Sequence, residues 1–534
     1  MSALRNTTLS IGARARTRPV MFYLGLAALF MVAILANLAW SWIAPGVKTS
    51  SQDLAVRLRL SSPRPDPSIL IVDIDERSLA LMAAEHGRWP WPRSVIAETV
   101  ADLADAGARS ILINLTFSDA DKDHPEDDAT FQDVLTHTPN VVLPITRLNP
   151  ANDSQSKVAI TRFAGAQISD PAAAGKPIAV LAPAFSGAYG RLGFNNLAVD
   201  SDGAVRRIDP FLNEPGFAFP SLPLRALEAG GIQTGIKPDS FPDGMILNWR
   251  NKRGNYERRS FADVAADLES GDAKRMAPYR GRLVIMGATA VGLGSVRGTP
   301  AAAITDDNTI LATAMDDMKS GSWLRVIPPW MTALLSVLSV FGLAATFIFR
   351  MDQRWINRLF VGLQSGFIVV TIYCISYTPY LLDISSTVLF AISYFAVANV
   401  YARIHLSALR GNPNFSNFAQ SHDGGPFLLI GVHSGQRLVH FMVRRMERRF
   451  GVRNVLHLDN LFDSGHMLQS ATQNLSFVVI ATGAENFSAL RTAAEDIARI
   501  YGLTPHFTEV PTESDPQDVR PIFKAILGMA IAMA

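Results

Sequence analysis

Charge vanishes from four stretches of this chain. Residues 20–43 lie in a run between Arg18 and Lys48 without a charged side chain, and residues 326–349, 359–382 and 384–402 are equally free of charge. A helix needs about 20 largely apolar residues to cross a ~30 Å hydrocarbon layer, because each backbone group must be bonded inside the segment. The pattern predicts four membrane-spanning helices, one early and three late. The first run exceeds the roughly 7–15-residue apolar core of a cleaved signal peptide, the alternative that small residues near Ala36 and Ala39 leave open. Asp383 stands beside Pro379 and Tyr380, which places it at the interface rather than in an ion pathway.

Basic residues set the direction. Arg5, Arg14, Arg16 and Arg18 precede the first run, Arg350, Arg354 and Arg358 follow the second, and Arg403 and Arg410 follow the fourth, while the link between the third and fourth has none. Lys and Arg resist translocation, so the N-terminus is expected inside, residues 48–325 outside and the tail inside.

Between the first and second spans, short apolar runs alternate with helical periodicity. Residues 68–74 (SILIVDI) lead into Asp75 and Glu76 after Pro63, Pro65 and Pro67, which reads as a buried strand presenting carboxylates at its end. Pro92 can open a helix, Val95, Ile96, Val100 and Leu103 recur at helical spacing, and Gly107 can cap it. Residues 110–117 (SILINLTF) read as a second strand, so the order implies a right-handed parallel crossover and an α/β domain.

These residues resemble the CHASE2 family of extracytoplasmic sensor domains. The likeness rests on residues 71–79 (IVDIDERSL), 89–93 (WPWPR), 192–196 (LGFNN), 200–207 (DSDGAVRR), Phe219-Pro220-Ser221-Leu222, 283–290 (LVIMGATA) and Gly298-Thr299-Pro300. Such sensors are typically preceded by one span and followed by three, as here. Two departures stand out: the family commonly carries an aspartate where this chain has Asn114, and residues 306–312 (DDNTILA) lack the glycine and histidine often found there. Asn removes a charge and adds a donor, which argues against a metal site shared with Asp75 and leaves an organic or polar ligand open.

The candidate ligand residues are Asp75, Glu76, Trp89, Arg93, Asn114, Asp200, Asp202 and Arg206. Each has a structural reading beside it. Asp75 and Glu76 can bind at a strand end or cap the next helix. Trp89 and Trp91 can stack on a ligand or close a core. Asp200, Asp202 and Gly203 form a turn first, with Arg206 and Arg207 pairing to its carboxylates. The acidic run from Asp119 to Asp128 lacks the sixth-position glycine and closing glutamate of a calcium loop, and reads as a solvated loop.

The tail reads as strand 427–432, helix 436–450, strands 454–459 and 475–481, helix 486–501, strand 506–510 and a helix from Asp518, a small three-layer α/β domain. Proteins with this sensor layout usually end in a nucleotide cyclase, a diguanylate cyclase or a kinase. Cyclisation needs carboxylates on two strands to hold two metal ions, and the first strand ends in Val432-His433 without one; Asp459, at the end of the second, and Asp463 are the ligands a cyclase reading would need. A turn from Gly431 to Gly435 can cradle a phosphate but lacks the Lys-Ser/Thr of a P-loop. His422, His433, His440, His457, His466 and His506 match no compact metal motif. Arg444, Arg445 and Arg448, with Arg449 and Arg453, recur beside a membrane and offer a partner or phosphate contact, or a lipid contact worth about 1 kcal/mol per residue.

Composition narrows the function. Of 534 residues 48% are apolar and 18% charged, with a net charge of +2, so no whole-chain field recruits nucleic acid. Cys374 is the single cysteine, which excludes a disulfide framework or a multi-cysteine metal site within one chain. The expected fold class is a membrane-anchored α/β protein: basic N-terminus 1–19, span 20–43, sensor 48–325, spans 326–349, 359–382 and 384–402, linker 403–425 and cytoplasmic α/β domain 426–534. The expected function is a multi-pass receptor of the bacterial cytoplasmic (inner) membrane with a periplasmic sensor. It relays the stimulus of an unknown small extracytoplasmic ligand to a non-catalytic tail as a homodimer with membrane lipids around it and a cytoplasmic protein partner, without nucleic acid, cofactor or metal. The alternatives are a cyclase-type enzyme with an unrecognised site and an accessory subunit of a membrane complex.

Overall fold

The structure is a computed structural model that describes residues 2–40, 45–250, 255–349, 351, 353–406, 418, 421, 422, 426–433, 436–458, 475–481, 487–510, 525, 526, 528, 529, 532 and 533. Four helices are long and apolar enough to cross a membrane: Val20–Trp40, Pro329–Ile348, Arg354–Tyr377 and Ser385–Ala402. The third lies about a turn and a half earlier than the expected 359–382. Pro379 has no N–H to continue a helix and disfavours helical backbone at Thr378, so the helix ends at Tyr377 and Tyr380–Leu381 pairs in parallel with Arg325–Val326. Asp383, read from the sequence as interfacial, pairs with Lys48 at 3.6 Å.

The chain forms two compact units, residues 28–342 with 351–391, and residues 1–27 and 343–350 with 392–534. In the first, the elements that matter are α1 (Ser2–Trp40, which begins in the other unit), α2 (Pro45–Leu58), β1 (Ile69–Ile74), α3 (Glu76–His86), α4 (Arg93–Asp105), β2 (Ser110–Asn114), α5 (Pro125–His137), β3 (Val141–Arg147), β4 (Val180–Leu181), β5 (Leu192–Phe194), α6 (Leu222–Ala229), β6 (Glu257–Ser260), α7 (Phe261–Glu269), β7 (Leu283–Ala288) and α8 (Asp307–Ser320). The sheet order is β6-β1-β7-β2-β3-β4, with β5 also on β3; every pairing is parallel except β3 with β4. β1 and β2 run parallel as expected, but the late strand β7 lies between them.

Successive strand residues point to opposite faces, and both faces of this sheet are covered. Leu70, Val72 and Ile74 join Ile96, Val100 and Leu103 of α4, Phe131 of α5 and Phe261 of α7 in one core. Ile69 and Ile71 join Val56 of α2, Leu224 of α6 and Ile310, Leu311 and Met315 of α8 in the other. Two family-like motifs meet here: a Cβ on Gly193 would stand 2.5 Å from the Leu222 Cα, so LGFNN needs its glycine because the chain at Ser221-Leu222 crosses it.

Three of the helices long and apolar enough to cross a membrane, α9 (Pro329–Ile348), α10 (Gln353–Tyr377) and α11 (Ser385–Leu406), follow, and then the C-terminal domain: β8 (Phe427–His433), α12 (Gln436–Phe450), β9 (Val455–Leu458), β10 (Leu475–Ala481), α13 (Phe487–Ile500) and β11 (Pro505–Val510). Its sheet is wholly antiparallel, order β9-β10-β8-β11, a split β-α-β-β-α-β arrangement of the ferredoxin-like kind. Leu428, Ile430 and Val432 pack under Met442 and Met446 of α12 and Ile497 of α13. Phe427 and Leu429 face Ile526, Met529 and Met533, so three layers form. Asp459, Asp463 and most of the helix expected from Asp518 lie outside the described residues.

Candidate functional site

The predicted ligand residues do not assemble into one site. Asp75 is the N-cap of α3: its Oδ1 accepts from the Ser78 N–H at 2.8 Å, the Ser78 hydroxyl at 2.7 Å and the Ser260 hydroxyl at 2.7 Å. Burial alone would raise its carboxyl, but these hydrogen bonds outweigh burial and hold it below the usual carboxylate range. Glu76 accepts from the Val291 N–H at 2.9 Å and fastens the loop after β7. Trp89 meets Trp91 edge-on at 5.0 Å between ring centroids, and Trp91 packs on Phe261 in the core. Arg93 donates to Asp128 at 2.5 Å and to the Asp119 carbonyl at 2.6 Å while lying over Phe185, and so ties down the acidic loop.

Arg206 does gather its carboxylates, and adds one that sequence reasoning missed. It donates to Asp200 at 2.6 Å, to both oxygens of Asp202 at 2.9 and 2.6 Å, and to both oxygens of Asp53 at 2.9 and 2.8 Å. The guanidinium holds Asp202 far below the usual range. The cluster locks the 200–206 turn to α2 and is satisfied within itself. Arg207 takes a different partner from the one expected, the Asp243 carbonyl at 2.9 Å, because its position in a short antiparallel pair with Met245–Ile246 turns it to the next turn.

Asn114 stands elsewhere, in a cleft of about 410 Å³ at the carboxyl ends of β2, β3, β5 and β7. In open α/β sheets ligands bind at that edge. Asn114, Thr116, Thr146, Asn195, Asn196 and Ser295 line it with amides and hydroxyls, and its Arg297 and Asp307 neutralise each other at 3.0 Å. Burial pushes Asp307 upward against the pull of Arg297. Asn196 is fixed by exchanging two bonds with the Arg147 backbone, at 2.7 and 2.9 Å, and Asn195 accepts from the Thr146 hydroxyl at 2.7 Å. Among the described residues, neither the Asn195 NH2 nor the Asn114 carbonyl oxygen has a protein partner.

The two departures from the family pattern turn out to be one contact: Asn114 Nδ2 donates to Asn308 Oδ1 at 3.0 Å. Asn308 is buried, and a Cβ on Gly287 would stand 2.3 Å from that same oxygen, so the glycine of LVIMGATA makes room for it. Sequence reading flagged both stretches without seeing that they touch; Asn195 was visible only as part of LGFNN. Among the described residues, no group of three His, Cys, Asp or Glu is placed to hold a metal ion.

In the C-terminal domain Gly431 lies inside strand β8, opposite Phe477 and His506, rather than in a turn. A Cβ there would stand 2.4 Å from the Met529 sulfur, so the glycine serves packing, which removes the phosphate-cradling role read for it; Gly435 lies outside the described residues. Arg444, Arg445 and Arg448 are exposed on α12, away from the face that packs on the sheet.

With this geometry in hand, the comparisons define the class. The model of the CHASE2 domain matches residues 26–346, well over half of the chain, and the chain belongs to that family of extracellular sensor domains. Neither curated proteins nor solved structures give a match.

Proposed function

We propose that this protein is a transmembrane receptor whose CHASE2 domain binds a small uncharged polar ligand in the cleft at Asn114. The observation that supports this reading most is the Asn114–Asn308 pair in a cleft where the two charges among the described lining residues, Arg297 and Asp307, cancel. Amides and hydroxyls from three strand ends and from the loop after β7 match the hydroxyls or amides of such a ligand. A free anion or cation finds no net countercharge there.

In this reading the sensor is periplasmic, both termini are cytoplasmic and the protein sits in a bacterial inner membrane, as the arginine flanks indicate. Binding biases the packing of the sensor against its spans, and the tail, non-catalytic and paired with a second copy, passes the change to a protein partner through the exposed face of α12. The test is thermal unfolding of the full chain in lipid nanodiscs with neutral polyols and monosaccharides. A saturable rise in the midpoint, abolished by Asn195→Leu, supports the reading. No rise with any of them, or a rise that survives the substitution, overturns it.

A further inference from the structure

A second cavity, of about 380 Å³, lies between β6, the first half of α8 and the turn at 301–304. It shares no lining residue with the cleft at Asn114. Trp249, Arg250 and Tyr256 line it, and all three are at least nine-tenths buried. Among the described residues, two of its donors have no acceptor: the Trp249 indole Nε1–H and the Arg250 Nε–H. Buried donors are almost always paired, so two neighbours lining one cavity and both unmet call for an oxygen from outside the chain.

The charge around the cavity says what kind of oxygen. Arg250 is divided between Asp316 at 2.9 Å and Asp317 at 2.5 Å, and Arg258 between Asp73 at 2.7 Å and Asp306 at 3.1 Å. Each guanidinium already faces two carboxylates, so among the described residues that line the cavity no positive charge is left over to hold an anion. Ile71, Ala301 and Ile304 add apolar wall. We propose that this cavity binds a small neutral carbonyl compound, an amide, ester or ketone. Its oxygen accepts from Trp249 Nε1 and Arg250 Nε, and its apolar part lies along Ile71 and the 301–304 turn. A carbonyl oxygen has the two lone pairs this requires. α8 is a wall of both cavities, since Thr309 and Thr313 line this one while Asp307 and Leu311 line the cleft at Asn114, so occupancy here reaches the same helix.

The test uses the full chain in nanodiscs with benzamide as probe and benzoate as its charged counterpart, read by calorimetric titration. Benzamide is expected to bind saturably, and benzoate at least about tenfold more weakly because an uncompensated negative charge would enter the cavity. Trp249→Phe keeps an aromatic ring and removes the N–H; it should weaken benzamide about fivefold, one hydrogen bond's worth, while the smaller ring in the core lowers the melting midpoint, which is measured beside the affinity. Ile304→Glu, at a side chain 74% exposed, puts a carboxylate at the rim and should weaken benzamide without touching the core. Equal binding of benzoate, unchanged affinity in both variants, or no saturation by benzamide overturns the proposal. Polyol binding at Asn195 is unaffected by any of these results, so the two sites fail or stand separately.

Discussion

Replacing Arg250 by Met tests the buried charge network most sharply. Arg250 holds Asp316 and Asp317, both almost wholly buried, and also donates to the Asn248 carbonyl and to the Ser322 hydroxyl at 2.8 Å. Removing one partner of a buried pair costs about 3–5 kcal/mol, because the remaining charge is left without compensation. For a domain this size each kcal/mol moves the midpoint by about 2–4 °C, so a fall of roughly 6–20 °C is expected at pH 8. The cost has a built-in ceiling. Burial already pushes the Asp317 carboxyl up to about 6, against the pull of Arg250, and without Arg250 it rises further. A carboxyl whose folded value lies above its unfolded one stabilises the fold when protonated, fully below the unfolded value of 3.8 and progressively less as pH rises through the folded value. The variant should therefore recover stability relative to the parent as pH falls from about 8 to 5, by up to about 1.4 kcal/mol per pH unit. Thermal unfolding of the full chain in detergent, followed by tryptophan fluorescence at both pH values, measures this. A fall of less than about 2 °C, or the same fall at both pH values, would refute the reasoning.

Other outcomes follow from the same structure. Gly193→Ala drives a Cβ to 2.5 Å from the Leu222 Cα and should cost about 1–3 kcal/mol, seen as a lower melting midpoint with an otherwise cooperative transition. Asp306 is held below its ordinary 3.8 because Arg258 and Thr309 outweigh the upward push of burial, so its stabilisation is present above 3.8 and lost as pH falls through the folded value. Asp306→Asn should accordingly lower the midpoint at pH 7, with the gap to the parent narrowing as pH falls below 3.8. In a Cys374→Ser background, a cysteine at exposed Asp123 should react with an impermeant maleimide in intact cells, and one at exposed Arg444 only after permeabilisation; the reverse pattern would invert the topology.

The four helices long and apolar enough to span a membrane were legible because a charge-free run of about 20 residues has few other uses in a folded chain. The third was misplaced because hydropathy cannot see that Pro379 ends the helix and hands Tyr380–Leu381 to a strand pair with Arg325–Val326. β1 and β2 were visible as apolar runs, but nothing local says that a strand 170 residues later than β2 lies between them, and that insertion is what brings Gly287 and Asn308 up to Asn114. Charged and aromatic residues drew attention in the sequence, and most proved to be caps and ties: Asp75 on α3, Arg93 on the acidic loop, Arg206 on Asp53. The cleft instead uses Asn and Thr side chains, which look like ordinary turn and strand-end residues until four strand ends converge.

The central claim is that the CHASE2 domain recognises an uncharged polar molecule through the amides at the carboxyl edge of its sheet. Its most direct test is equilibrium binding of neutral saccharides and polyols to the full chain in nanodiscs, set beside matched carboxylate ligands and divalent cations, for the parent and Asn195→Leu. The account predicts saturable binding of at least one neutral compound, none of its charged counterparts, and loss of that binding in the variant. Tight binding of a divalent cation or an anion, or neutral binding indifferent to Asn195, would contradict it.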